Sequence, residues 1–233
     1  MCLSNEPREP MHFESARSRR MFITKVLMIV AINLLITMLI MTAVIFNEGA
    51  RQFFKKYWYI GIIGAGVILL ISIIMCLCHP VFRIFPCNYI LLLIYVLAHA
   101  AMVCCAAVRY HPKLVFIAVG SCAGIMVFLC LFARFAPCDF SGCGIFAFVI
   151  SLVVLFLGIV AIFYPSVRIV YVALGVLMFC LYMVIDIQMI IGGKTHENQF
   201  KEEDYIIAAM ALYTDIIFLF LYLLDLIGLI GDD

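Results

Sequence analysis

Charged residues are scarce in this sequence: Asp, Glu, Lys and Arg make up 12% of its 233 residues, whereas soluble domains carry about a quarter. The two signs are balanced at a net charge of +1, so the chain lacks the basic surface typical of nucleic-acid-binding proteins. Apolar residues fill the space: they make up 67% of the chain, with a mean hydropathy of +1.22. These values indicate a multispan membrane protein with no sizeable soluble domain.

Motifs of catalysis and metal binding are also missing. The chain has no GxSxG, no HExxH and no P-loop, so the sequence predicts no catalytic residue and no enzyme activity. Five of its 11 cysteines lie well inside apolar runs, where a thiol behaves as a small apolar side chain. A second group, Cys76, Cys78, Cys87, Cys138 and Cys143, matches no zinc spacing closely. We therefore expect no metal site and no cofactor.

Seven apolar runs are long enough to cross a membrane, which takes about 20 helical residues. The runs are continuous and do not alternate, so they predict helices and not the strands of a barrel. We predict an all-α membrane protein in which residues 1–21 form an N-terminal tail and residues 231–233 a short C-terminal tail. The spans of the domain between them, residues 22–230, are predicted at 22–46, 57–78, 88–108, 114–133, 144–163, 169–191 and 205–230.

A basic cluster precedes the first span and predicts its orientation. Arg8, Arg17, Arg19 and Arg20 lie just before it, and basic residues near a span favour the cytosolic side. The apolar run that follows has about 25 residues, which is longer than the core of a signal peptide. We expect a retained first span with the N-terminus in the cytosol, and seven spans then place the C-terminus on the other side.

Each of the last two spans contains one carboxylate, Asp186 and Asp215. Ionisable residues inside membrane spans are costly and are commonly functional. At about 1.5 Å per residue, Asp186 lies about 8 Å before the end of the sixth span, and Asp215 about 15 Å after the start of the seventh. We predict that the two acids meet, share a proton and titrate together as a pH-sensitive latch. Tyr182, one helical turn before Asp186, is a candidate donor of a hydrogen bond to it and a candidate pore-lining residue.

Other polar or small residues in the spans allow weaker predictions. His99 stands alone in the third span, where it either packs by hydrogen bonding or lines a polar pore. Asn33 and Thr37 share a face of the first span and suit an interhelical hydrogen bond. The fourth span carries Gly120 and Gly124, a GxxxG pattern that predicts close packing within the chain, with a dimer face as the less favoured alternative.

Two other classes of membrane protein use similar features. An intramembrane aspartyl protease also carries aspartates on two helices, but its usual glycine after the second one is replaced here by Ile216. A seven-span receptor would carry an acidic-Arg-aromatic triplet after its third span and an Asn-Pro motif in its seventh. The chain has neither motif.

Several segments resemble the transmembrane Bax-inhibitor-motif family, in particular its lifeguard branch. They are MVIDIQMIIGGK (Met183 to Lys194), EEDYIIAAMALYTDIIFLFLYLL (Glu202 to Leu224), the segment Phe13 to Thr37, the segment Pro86 to Ala100, and DFSGCG from Asp139. The resemblance implies seven helices, with the last largely surrounded by the other six. It also implies a calcium leak gated by Asp186 and Asp215 in the endoplasmic reticulum or Golgi, with the plasma membrane as an alternative. Calcium would be a permeant ion, and the protein would restrain programmed cell death.

Two features depart from the family pattern. Lifeguard proteins commonly carry a glutamate where this chain has His99, and several relatives have a much longer N-terminal tail. Hard Ca²⁺ prefers oxygen ligands to imidazole. A second function class therefore stays open beside the leak channel: a non-conducting regulator that binds membrane partners of the death machinery.

Overall fold

The structure, a computed structural model, describes residues 16–136, 140–192 and 200–231. These ranges form eight α-helices with short 3₁₀ turns between some of them, and they contain no strand. The helices are α1 (Ala16–Phe46), α2 (Glu48–Lys56), α3 (Tyr59–Leu77), α4 (Cys87–Ala107), α5 (Pro112–Phe135), α6 (Gly144–Phe163), α7 (Arg168–Ile191) and α8 (Tyr205–Gly231). Most of the predicted N-terminal tail, Cys138, and Lys194 in the linker before α8 lie outside the described residues.

Seven of the described helices, α1 and α3 to α8, are long and apolar enough to cross a membrane. The prediction of an all-α, seven-span protein is confirmed. Most predicted ends fall within a few residues of the observed ones because a long apolar run is a local property of the chain. The largest difference is at the start of α1, which begins at Ala16, six residues before the predicted Phe22.

The eighth helix, α2, was not predicted. Asn47 caps it by accepting a hydrogen bond from the Ala50 N–H at 3.0 Å. Glu48 lies in its first turn and Lys55 and Lys56 in its last, a distribution that stabilises the helix dipole. With 9 residues, α2 is too short to span, and its sequence EGARQFFKK is too polar to form an apolar run.

Helix α8 lies at the centre of the bundle. It contacts α1, α4, α5 and α7, and 72% of its most apolar stretch is buried. Its buried residues point in all directions around the helix axis and include Ala208, Ala209, Tyr213 and Leu219. The prediction that the last helix is largely surrounded by the others is therefore confirmed.

Glycines allow two close helix contacts. A Cβ atom at Gly64 of α3 would lie 2.8 Å from the Ala98 carbonyl oxygen of α4, so the two backbones are in direct contact. A Cβ atom at Gly175 of α7 would overlap the ring of Tyr222 of α8. Both positions exclude larger residues because the neighbouring helix already fills the space.

The predicted packing at Gly120 and Gly124 is wrong. A Cβ atom at either glycine of α5 would meet nothing within 4 Å, and both residues are exposed on the outer surface of the bundle. The GxxxG spacing places two small residues on one helix face, but it does not determine whether that face points to another helix or to lipid.

Candidate functional site

The two membrane-embedded acids meet. Asp186 of α7 and Asp215 of α8 form a side-chain hydrogen bond with each other. Two ionised carboxylates only accept hydrogen bonds, so this contact requires a proton on one of them. The predicted juxtaposition of the acids, which we call the acidic pair, is therefore present, and their sharing of a proton as a latch stays a prediction.

The two members of the acidic pair differ in access. Asp215 is buried, at 8% exposure, and its Oδ2 atom has no hydrogen-bond partner. Asp186 is partly exposed. A buried oxygen without a partner is uncommon and costly. Asp186 is thus the more accessible member of the pair, and Asp215 is the member that the surrounding helices enclose.

Gln188, two residues after Asp186, connects α7 to the segment between α5 and α6. Its Oε1 atom accepts a hydrogen bond from the Phe140 N–H at 2.7 Å, and its Nε2 donates to the Ala133 carbonyl oxygen at 3.5 Å. Two residues along a helix are about 200° apart. Asp186 therefore faces α8, and Gln188 faces away from it. The segment from Asp186 to Gln188 thus connects α7 to neighbours on two of its faces.

The Tyr182 hydroxyl makes a different hydrogen bond from the one predicted to Asp186. The Tyr182 O–H donates instead to the Ala147 carbonyl oxygen of α6, at 3.3 Å. The sequence placed Tyr182 on the same face as Asp186, but a tyrosine side chain is long enough to turn toward a neighbouring helix. Its contact ties α7 to α6.

His99 lies in the protein interior with 0% exposure. Its Nδ1 atom is 3.0 Å from the Tyr95 carbonyl oxygen one turn earlier, and its Nε2 has no hydrogen-bond partner. The ring packs edge-on against Tyr95, with centroids 4.5 Å apart, and against Tyr213, at 5.0 Å. This enclosure by aromatic rings favours the packing interpretation of His99 over the pore-lining one.

A group of hydroxyls connects α8 to its neighbours near His99. Thr37 of α1 lies 2.7 Å from the Tyr213 hydroxyl, and Tyr95 of α4 lies 2.7 Å from Thr214. Each threonine donates to a carbonyl of its own helix, so the tyrosines donate in both pairs. The expected interhelical bond of the first span is therefore made by Thr37, whereas the Asn33 Nδ2 has no partner.

An ion pair at the end of the bundle where α1 begins was missed by the sequence analysis. Arg83 makes two hydrogen bonds to Asp204, at 2.8 and 3.0 Å, and lies 3.5 Å from Glu203. The hydrogen bond to Asp204 raises the pKa of Arg83. Residue spacing gives no signal for this contact, because Arg83 and Asp204 lie 121 residues apart in the chain.

Asp225 anchors the opposite end of α8. It accepts a hydrogen bond from the Tyr110 hydroxyl at 2.8 Å and forms a salt bridge with Arg168. Burial and then the bond to Asp225 raise the pKa of the Tyr110 phenol to about 12, so the phenol remains a donor at neutral pH. The sequence signal for this contact is Asp225 near the end of the seventh span and Arg168 just before the predicted start of the sixth.

Among the described residues, no group of three or more His, Cys, Asp or Glu side chains could hold a metal ion. A resident calcium ion takes six to eight oxygen ligands. The acidic pair supplies four carboxylate oxygens at most. Its two carboxyl groups can share a proton, but they are too few ligands for a resident calcium ion.

The fold and the acidic pair define a class: a seven-span membrane protein with a central last helix and two hydrogen-bonded acids inside the membrane. The family described as "Inhibitor of apoptosis-promoting Bax1" matches residues 19–232. Human "Protein lifeguard 3" is 31% identical over 94% of this chain and 72% of its own length. Arabidopsis thaliana "Protein LIFEGUARD 2" is 31% identical over 95% of this chain and 92% of its own length. The chain belongs to the Bax inhibitor/lifeguard family.

Proposed function

We propose that this protein is a pH-sensitive calcium or cation leak channel of internal membranes that restrains programmed cell death. The acidic pair is its latch, and the N-terminus faces the cytosol. The observation that carries the proposal is the hydrogen bond between Asp186 and Asp215 in the membrane interior. Family membership supports the anti-apoptotic role, because the description of the matching family names an inhibitor of apoptosis-promoting Bax1.

The latch follows from the charge on the pair. With one shared proton, the two carboxyls attract each other and hold α7 against α8. When that proton is lost, two negative charges face each other where screening by water is weak, and they repel. The ionised oxygens are also ligands that a cation prefers. Raising the pH therefore loosens the contact and makes the path attractive to calcium.

Flux through purified protein in liposomes tests the latch. Calcium leak through the wild type should rise as the pH is raised from about 5.5 to 8 because the pair ionises. Asp186→Asn and Asp215→Asn, singly and together, should flatten this dependence, since an amide does not titrate in that range. Superimposable leak curves for wild type and variants would exclude the latch.

Asp225→Asn is the matched control for these substitutions. It makes the same chemical change as Asp215→Asn on the same helix, α8. Asp225, however, lies at the end of that helix, where it is bonded to Tyr110 and Arg168. This variant should keep the wild-type pH dependence if the latch is specific to the acidic pair. Absence of flux at every pH from folded wild-type protein would favour the non-conducting regulator, which acts by binding death-pathway membrane proteins.

A further inference from the structure

We propose that the groove between α6 and α7 binds one acyl chain of a glycerophospholipid whose phosphate contacts Arg168. The groove has a volume of about 680 Å³, within the 300 to 1,000 Å³ or so that is usual for ligand sites. Apolar side chains such as Val154, Ile159 and Met178 line it. The proposal concerns a different face of the molecule from the acidic pair and does not depend on the latch.

Small residues of α6 create the groove. Ser151 and Ala161 line it with short side chains, and Gly158 lets the Tyr171 ring of α7 come close, because a Cβ atom there would lie 3.0 Å from that ring. The rings of Tyr171 and Tyr222 also line the groove, and their hydroxyls lie 2.8 Å apart. The Tyr222 ring occupies the space left by Gly175 and so lies close to α7.

The length of the groove matches one leaflet of a bilayer. It extends along α7 from Arg168 to Met178, which is about 15 Å at 1.5 Å per residue. The apolar core of a bilayer is about 30 Å thick. A chain that enters beside Arg168 would therefore end near the middle of the membrane, as a lipid acyl chain does.

The charge at the mouth of the groove selects a phosphate. Arg168 is the first residue of α7, and 48% of its side chain is exposed although it forms a salt bridge with Asp225. That contact uses its Nη2 atom, and a guanidinium has five N–H donors in a planar fork that suits phosphate oxygens. A cation at the interface above an apolar groove matches the chemistry of a phospholipid and of no neutral lipid.

Photocrosslinking in liposomes tests the site. The probe is a phosphatidylcholine with a diazirine in one acyl chain, and the labelled residues are found by mass spectrometry. Met178 and Ile159 should be labelled several-fold more than Val153 and Phe156, which lie on α6 at 50% and 68% exposure and do not line the groove. Equal labelling of the two sets would show ordinary lipid contact and overturn the proposal.

Two matched pairs of variants make the test specific. Ala161→Trp should fill the groove and reduce labelling of Met178 several-fold, whereas Ala31→Trp, at an exposed alanine of α1, should not. Arg168→Gln should reduce labelling to the level of a diacylglycerol probe that lacks phosphate, whereas Arg109→Gln, at another exposed arginine, should not.

Unchanged labelling in Ala161→Trp would overturn the groove as the site. Equal labelling of wild type by the two probes would overturn the role of the phosphate. If Ala161→Trp fails to fold, as judged by size exclusion, Ser151→Phe fills the groove from another position and answers the same question.

Discussion

Among the described residues, Asn33 Nδ2 of α1, His99 Nε2 of α4 and Asp215 Oδ2 of α8 are buried polar atoms without hydrogen-bond partners. Each such atom costs free energy in an apolar interior. In the proposed latch, the lack of a further partner for Asp215 has a purpose. A residue that bonded Asp215 permanently would keep it in place when the acidic pair ionises and releases α7 from α8. The other two atoms belong to packing positions that the same latch does not require.

His99 provides a test that separates packing from pore lining. His99→Phe keeps a flat ring among the aromatic neighbours and removes the buried Nε2 atom that has no partner. We expect this variant to fold at least as stably as wild type and to retain the leak and its pH dependence, because the side chain has 0% exposure. The thermal midpoint in detergent and the liposome flux curve measure the two effects.

His99→Glu is the informative companion, since glutamate is common here in the family. A carboxylate placed among Tyr95, Tyr213 and Phe218 would lose solvation without gaining a basic partner from those three residues. It should lower the thermal midpoint. A higher leak at an unchanged midpoint would instead restore the pore-lining interpretation of His99.

Some residue contacts could be predicted from the sequence and others could not. The meeting of Asp186 and Asp215 was predictable, because depth along a helix follows from residue counting and two acids in an apolar interior can share a proton. The partner of Tyr182 was not, since the choice between Asp186 on its own helix and Ala147 on α6 depends on how α6 is rotated against α7. Residue spacing contains no information about that rotation.

At the scale of helices, the contact between α3 and α4 depends on one glycine. A Cβ atom at Gly64 would lie 2.8 Å from the backbone oxygen of Ala98, and a backbone atom cannot move aside as a flexible side chain does. Gly64→Ala should therefore destabilise the protein by about 1 to 3 kcal/mol, the usual cost of overpacking. Thermal unfolding in detergent measures it.

Gly66→Ala is the control for this substitution on the same helix. A Cβ atom at Gly66 would meet nothing within 4 Å, and alanine favours a helix more than glycine does. This variant should unfold at the wild-type temperature or above it. Equal losses at Gly64 and Gly66 would mean that the glycines act through helix flexibility and not through the contact with α4.

The ion pair of Arg83 fixes the start of α8 to the connection between α3 and α4. Arg83→Gln should lower the free energy of unfolding by about 2 to 3 kcal/mol, because the buried Asp204 loses two hydrogen bonds to a charged donor. Glu203→Gln should lower the free energy of unfolding by less than about 1 kcal/mol, since the Glu203 side chain is 69% exposed and lies 3.5 Å from Arg83. Unfolding midpoints in detergent compare the two variants.

The sign of the pH effect at this ion pair is also determined. The pKa of Arg83 is raised by its bond to Asp204, so the stability that its charge contributes is present at lower pH and would be lost only in strong alkali. The difference between wild type and Arg83→Gln should thus be constant from neutral pH up to about 9. A loss that varies across that range would mean that another group titrates with the pair.

The helices themselves differ in how far they could be predicted. Seven spans were predictable because each is an apolar run of sufficient length, which is visible without any knowledge of the neighbours. Helix α2 was not, since its 9 residues are too few for that criterion. The outward direction of Gly120 and Gly124 was not either, because the face that a helix turns to lipid depends on the whole arrangement.

At the scale of the molecule, side-chain contacts join the connections at each end of the bundle. At one end, Ser18 contacts Glu202 and Arg83 contacts Asp204, so the start of α1, the α3–α4 connection and the start of α8 lie together. At the other end, Tyr110 and Arg168 both contact Asp225. The central helix α8 is thus held at both ends, and the acidic pair lies between the two anchors.

This arrangement leads to a prediction about topology. Seven spans are an odd number, so the start of the first span and the end of the last span lie on opposite sides of the membrane. The end where α1 begins carries Arg17, Arg19 and Arg20, together with the connections that contain Arg83, Arg134 and Lys201. The other end carries Arg51, Lys55, Lys56, Arg109, Lys113 and Arg168.

The basic cluster beside the first span should decide between the two orientations, because the first helix usually dominates and basic residues stay in the cytosol. A split-fluorescent-protein strand fused before Met1 should be complemented by a cytosolic partner, and the same strand fused after Asp233 should not. Replacing Arg17, Arg19 and Arg20 with Gln should increase the inverted fraction, since the remaining loop charges favour the opposite end. Complementation at both termini of the wild type would contradict seven complete crossings, and complementation only after Asp233 would reverse the proposed orientation.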